Sequence, residues 1–234
     1  MKKIVALIMV LAMMCTMLVS CDNAQSLIEK ADAALLEAPY SMTMKMNFDC
    51  DNKEVNDLLS AMNVEVPMIV DGDNISMDMN MVVMGYAVEA DVIVADKVMY
   101  YDMSMMGQNI KMKCTLTDDQ YQQFMTDNSA QMPVDPENFA KMTVENKDGK
   151  KIIACAEITE EGLKALNDMI KDVAATLGGE AEVKDITYGI TLKDGKYESM
   201  DMACQYSVTV AGETTNINFT VGVDFAYGDF AKVE

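Results

Sequence analysis

From Ser41 the chain alternates without a break: Met42, Met44, Met46, Phe48 and Cys50 share one parity, and Thr43, Lys45, Asn47 and Asp49 share the other. A period of two with one apolar and one polar side predicts a half-buried strand of an antiparallel sheet. The pattern returns at Ile75, Met77, Met79, Met81 and Val83, over roughly 86–95 and 97–105, and through Ile110, Met112, Cys114 and Leu116. Further on, Met142 to Glu145 and Ile152 to Ile158 flank Asp148-Gly149 as a hairpin. The chain ends in a meander. Ile186 to Leu192, Met200 to Val210 and Ile217 to Phe225 each keep one apolar face, with turns predicted at Asp194-Gly195 and Ala211-Gly212. Asp71-Gly72-Asp73-Asn74 is a further turn.

The period shifts to 3.6 in four places. Leu27, Ile28, Ala31, Ala34 and Leu35 form a helical stripe over 24–37, and Val55, Leu58, Leu59 and Met62 suggest a short helix over 53–63. Thr117-Asp118-Asp119-Gln120 matches a capping box, opening a helix to about Asn128 with Tyr121, Phe124 and Met125 on its apolar side. The cleanest helix starts at cap Thr159, has Glu160 and Glu161 in its first turn, carries Leu163, Leu166, Ile170, Val173 and Leu177, and stops at Gly178-Gly179. The stretch 131–138, with Pro133 and Pro136, is a predicted surface loop.

About nine or ten strands that are apolar on one face only exclude a parallel sheet covered on both sides, whose strands would be apolar throughout. They need one continuous buried side. A curved antiparallel sheet wrapped round a few helices supplies it, and so does a two-sheet sandwich. With only three or four helices to cover so much sheet, a concave face incompletely filled by Met, Val, Ile, Tyr and Phe forms an apolar cavity.

The N-terminus changes the picture of where this happens. Lys2-Lys3 precede an apolar run from Ile4 to Val19, too short and too one-sidedly flanked for a spanning helix, so it reads as a secretory signal. Leu18-Val19-Ser20-Cys21 resembles the lipobox of bacterial lipoprotein signals, in which the cysteine is acylated and becomes the new N-terminus. The expected organisation is a signal over 1–20, an acylated anchor and short tether over 21–23, and one domain over 24–234. The expected location is the extracytoplasmic face of the cell membrane, held by lipid on Cys21.

Charge and composition remove function classes. The formal net charge is −20, and losing Lys2 and Lys3 with the signal makes it −22. Such a surface cannot neutralise phosphates, so no nucleic-acid partner is expected. The chain has no Arg, His or Trp, which removes the commonest general base, the commonest transition-metal ligand and the bidentate anion clamp. No nucleophile elbow, P-loop or dinucleotide fingerprint occurs, so no enzymatic activity is expected. Cys50, Cys114, Cys155 and Cys204 show no C-x-x-C spacing; they could pair in three ways or stay as buried free thiols.

Among 25 methionines, Met42/Met44/Met46 and Met77/Met79/Met81 form two M-x-M-x-M runs. Thioethers suit Cu(I), but both alternations continue into Phe48, Ile75 and Val83, as a core or cavity face does. Asp71, Asp73 and Asn74 lack the glycine and distal glutamate of a calcium loop. No metal and no other cofactor is expected.

The opening from Ala31 to Tyr40 followed by Met42, Met44 and Met46, the hairpin Leu192-Lys193-Asp194-Gly195-Lys196, and the ending from Val223 to Phe230 resemble the LolA-like bacterial lipoprotein and lipid carriers, including the mycobacterial LppX and LprG type. The resemblance implies an α+β fold, in which a strongly curved antiparallel sheet, an open half-barrel of about nine or ten strands, wraps around three to four helices. It also implies a cavity for acyl chains. The expected lining is Met44, Met46, Met77, Met79, Met81 and Met202, with Leu163, Leu166, Ile170 and Val173 on a lid helix. The expected function is non-covalent binding of a lipid or other hydrophobic molecule by a monomer at the membrane. The other class is an interaction or scaffold lipoprotein with a packed core, binding a cationic partner or envelope component through its acidic surface.

Overall fold

The computed structural model describes residues 24–52, 56, 63–83, 86–128, 139–176, 179–210, 212–228 and 230. The signal segment with Cys21, most of the helix expected over 53–63 and the loop over 131–138 lie outside the described residues.

Among the described residues, alternation becomes one sheet of eleven antiparallel strands. Six of them, β1 (Tyr40–Cys50), β2 (Val64–Asp71), β3 (Asn74–Val83), β4 (Tyr86–Ala95), β5 (Val98–Met105) and β6 (Gln108–Thr115), form a first meander. A second contains β7 (Phe139–Lys147), β8 (Lys150–Ile158), β9 (Gly179–Lys193), β10 (Lys196–Val210) and β11 (Glu213–Tyr227). The order is β6-β5-β4-β3-β2-β1-β11-β10-β9-β8-β7, so the first and last strands meet in the middle. They pair over the full length of β1, from Tyr40 opposite Tyr227 to Cys50 opposite Ile217. Helices α1 (Ala24–Leu35), α2 (Asp118–Asn128) and α3 (Glu160–Thr176) complete the described elements.

The helix starts follow their caps. Thr117 and Gln120 bond reciprocally, Thr117 Oγ1 accepting the Gln120 N–H at 3.3 Å and Gln120 Oε1 accepting the Thr117 N–H at 3.0 Å. Thr159 Oγ1 accepts the Gly162 N–H at 3.0 Å. The turns follow their residues as well. Asp148-Gly149 and Asp194-Gly195 hold positive φ at both positions, the mirror-image turn that suits strand twist.

The expected α+β half-barrel is not what forms; the structure is mostly antiparallel sheet. The sheet is open and flat, it has eleven strands among the described residues instead of nine or ten, and the helices rest on it instead of being wrapped by it. Eleven strands about 4.8 Å apart span roughly 50 Å. The longest described helix, α3, has 17 residues and at about 1.5 Å per residue reaches only about half that. Curvature also needs bulges, and the register shifts fall at Tyr197/Ser199, Gln205/Tyr206 and beside Lys141, all in the second meander. The helices gather there too: α1 packs on β10 and β7, and α3 on β9.

β2 is the strand whose alternation carries a proline. Pro67 lies opposite Thr43 of β1, and the ladder to β3 is interrupted there, between the pairs Glu65/Asn80 and Met68/Met77. The missing N–H therefore falls where no partner is engaged, and an interior strand tolerates the proline.

One apolar row crosses all eleven strands on the helix-bearing face. From Met44 it runs through Val66 and, in the flanking register, Met79 to Ala90, Met103 and Ile110. In the other direction it runs through Val223, Met200, Ile190 and Ile153 to Val144. Its burial is lopsided. Ile153 and Ile190 are 0% and 1% exposed, whereas Ile110 is 42% exposed. We therefore expect Ile190→Ala to cost about 2–5 kcal/mol in urea unfolding. Met112→Ala, at the open end, should cost less than about 1 kcal/mol; equal costs would contradict this distribution of the core.

Candidate functional site

The uncovered end of the row is a trough. Cross-strand pairing puts Met77 beside Val92, Val92 beside Tyr101, and Tyr101 beside Met112. Met103 pairs with Ile110 in the next row. Together with Met99 and with Phe124 from α2, these side chains enclose an open volume of about 530 Å³. That size falls within the range of small-molecule sites, and the lining is almost wholly apolar.

α2 is held over this wing by its own sequence. Tyr121 is buried, and its hydroxyl donates to the Asp73 carbonyl in the β2–β3 turn. Lys97 Nζ meets Asp118 Oδ1 at 2.6 Å at the start of the helix. That contact holds the Asp118 carboxyl below its ordinary range and raises the Lys97 ammonium, but both side chains are exposed and screened. Inside the trough the polar feature is the Tyr101 hydroxyl, which donates to Met103 Sδ at 3.1 Å.

Of the residues expected to line a cavity, Met77 lines this trough. Met79 lies two places along β3, half-buried against the core, and Met44 and Met46 are half-buried on β1. Met202 is 4% exposed, on β10. Leu166 is buried under α3, while Leu163 is exposed. The side chains of Met81, Ile170 and Val173 lie outside the described residues. The structure thus spreads the described members from β3 to β10, and the helix beside the trough is α2 instead of α3. Val92, Met99, Tyr101, Met103, Ile110 and Met112 share the alternation that marks every strand here, and nothing in that alternation says which strands the helices leave bare.

A second concavity, also about 530 Å³, lies on the polar face over β1, β11, β10 and β9. It exists because Gly222, Gly189 and Ala203 stand among longer neighbours such as Asp201 and Lys45. A Cβ at Gly222 would meet Asp201 Oδ1 at 3.5 Å, an ordinary contact. Among the described residues no group of three or more His, Cys, Asp or Glu is arranged to hold a metal ion.

All four described cysteines are free thiols. Burial pushes Cys155 and Cys204 up from 9.0 to about 11, with Asp185 adding to the shift at Cys204. Cys114 is exposed on β6. A thiol reagent at neutral pH should modify Cys114 at once and leave Cys155 and Cys204 untouched until the chain unfolds. Both buried thiols are neutral in folded and unfolded chains below about pH 9. Between about 9 and 11 the unfolded chain ionises first, so stability should fall across that window, and less so in Cys155→Ala. Rapid labelling of all the thiols in the native state would contradict the burial.

No family model matches the chain, and no curated protein matches it. Among solved structures it is similar to the crystal structure of the ywiB protein from Bacillus subtilis, at 9% identity over 82% of this chain and 93% of that one. The TM-score is 0.22, and a likeness this loose carries no argument about fold or function.

Proposed function

We propose that this protein is a lipid-anchored, extracytoplasmic binding protein whose β3–β6 trough holds a hydrophobic molecule such as an acyl chain. The observation that carries the reading is the trough itself: about 530 Å³ lined by Met77, Val92, Met99, Met103, Ile110 and Met112 with two aromatic rings, and left open to solvent. Methionine is flexible and polarizable, so such a wall adapts to chains of different shape. Each methylene taken from water contributes about 0.8 kcal/mol. Eight of them give roughly 6 kcal/mol before the cost of association, enough for retention but not for permanence. The lipobox-like Leu18-Val19-Ser20-Cys21 supports placement at a membrane, where such ligands are found.

The test is mass spectrometry of an organic extract from the chain beginning at Asp22, purified without detergent. Near-stoichiometric lipid is expected, and it should be lost in Met112→Lys, which places a charge on an already exposed wall residue and leaves the fold intact. A clean extract from folded protein would overturn the reading.

A second reading rests on the other face. Asp78, Asp91 and Asp102 stand directly opposite one another on β3, β4 and β5. Like charges in that arrangement repel, and Lys111 reaches Asp102 at 2.6 Å. A cationic partner laid across these strands would relieve the repulsion. Binding of a basic peptide that weakens with salt, and is lost in Asp91→Asn, would support it; salt-independent binding would not.

A further inference from the structure

The rim of the trough carries a chemistry that the apolar reading does not use. β5 and β6 place five sulfur-bearing side chains on the helix-bearing face, and four of them, Met99, Met103, Met112 and Cys114, surround Tyr101, with Met105 further along β5. Cys114 is directly opposite Met99, and Met112 is directly opposite Tyr101, which stands between Met99 and Met103. Opposed side chains have Cβ atoms about 4.5–5.5 Å apart and diagonal neighbours about 7–8 Å apart. Met112 is therefore a diagonal neighbour of both Met99 and Met103, within the reach of flexible thioether side chains. The sulfur of Met103 is already drawn to the centre of this group, 3.1 Å from the Tyr101 hydroxyl.

Access needs no opening of the core. Met112 is 54% exposed and Cys114 is exposed. The other described thiols are withdrawn: Cys155 and Cys204 are buried, and the Cys50 thiol donates to the Asn52 carbonyl at 3.1 Å. The lining offers no carboxylate on this side of the sheet to attract a hard cation.

We propose that Met99, Met112 and Cys114, with Met103 completing the set, form a binding site for a soft monovalent cation of the Cu(I) or Ag(I) type. Thioether and thiolate sulfur are the donors such ions prefer. The metal–sulfur bond at Cys114 Sγ forms as its S–H proton leaves to solvent, so one proton is released per cation bound. The methionines donate lone pairs, and no atom changes oxidation state. The thiolate cancels the cation's charge, which lets the complex sit on an apolar wall without a net buried charge.

The test uses the full chain carrying Cys15→Ser and Cys21→Ser, in detergent micelles, labelled with carbon-13 at methionine methyls and titrated with Ag(I). The methyl signals of Met99, Met103 and Met112 should shift together and saturate at one equivalent with one proton released. Cys114→Ser should abolish the proton release. Met99→Leu with Met112→Leu should weaken silver binding at least tenfold, and Cys114→Ser, outside the trough lining, should still extract lipid. Silver uptake with no methionine shift, or unchanged affinity in the leucine variant, would overturn the site. Retained silver binding, together with a clean extract from the detergent-free chain beginning at Asp22, would sink the apolar-ligand reading alone.

Discussion

The pairing of β1 with β11 is what makes one sheet out of two meanders. Every other ladder joins strands that are neighbours in sequence, in most cases through a tight turn, whereas β1 and β11 bring residue 40 opposite residue 227. The closure cost of that contact grows only slowly with loop length. It is met by eleven consecutive residue pairs, among them Met44 with Val223, Met46 with Val221 and a stacked Phe48–Phe219 pair at 4.7 Å. Tyr40 and Phe225 add a ring contact at 6.2 Å near one end of the seam. Lose this ladder and each meander keeps its hairpins but has half an apolar row with nothing to continue it.

The helices then decide what the two halves become. α1 buries Leu27, Ile28 and Ala31 toward the second meander, and the Tyr197 hydroxyl donates to Asp32 at 2.6 Å to fix it there. Burial and that contact together push the Tyr197 phenol far up. α3 follows β8 and packs on β9, where the Asn167 side chain accepts the Val183 N–H at 2.9 Å. That bond serves a part of β9 beyond its last pair with β8, Tyr188 with Cys155. Of the helices among the described residues, the first meander receives α2. Its outermost strands, β5 and β6, keep the same apolar parity as the rest but lack a cover, and the trough is the geometric result. At the free edge Lys111 and Lys113 face the polar side, a placement that discourages edge-to-edge pairing.

Much of this was legible in the chain because local rules govern it. The alternation from Met42 to Cys50, the reciprocal cap of Thr117 and Gln120 and the Asp-Gly turns each act within a few residues, and each appears in the structure as read. Pro67 obscured β2, since a proline in an interior strand is acceptable only where the neighbouring ladder is interrupted, and that depends on β3. Sheet shape was not legible either. Curvature depends on where bulges fall, and their positions in β9, β10 and β7 follow from packing of partners far apart in sequence. The trough escaped for the same reason: Met103 and Met112 carry the same pattern as Met200 and Met202, yet Met103 is half-buried and Met112 exposed while Met200 and Met202 are buried under the second meander's helices.

The central claim is that one continuous apolar row is sealed at its β8–β11 end and open at its β5–β6 end. Amide hydrogen exchange on the native protein, resolved by strand, tests it most directly. The account predicts the slowest exchange in β1, β10 and β11, and progressively faster exchange through β4 to β6, with α2 opening before α1. Protection in β5 equal to that in β10 would mean that the first meander is as firmly covered as the second. The trough would then not be the uncovered end of the row that the account requires.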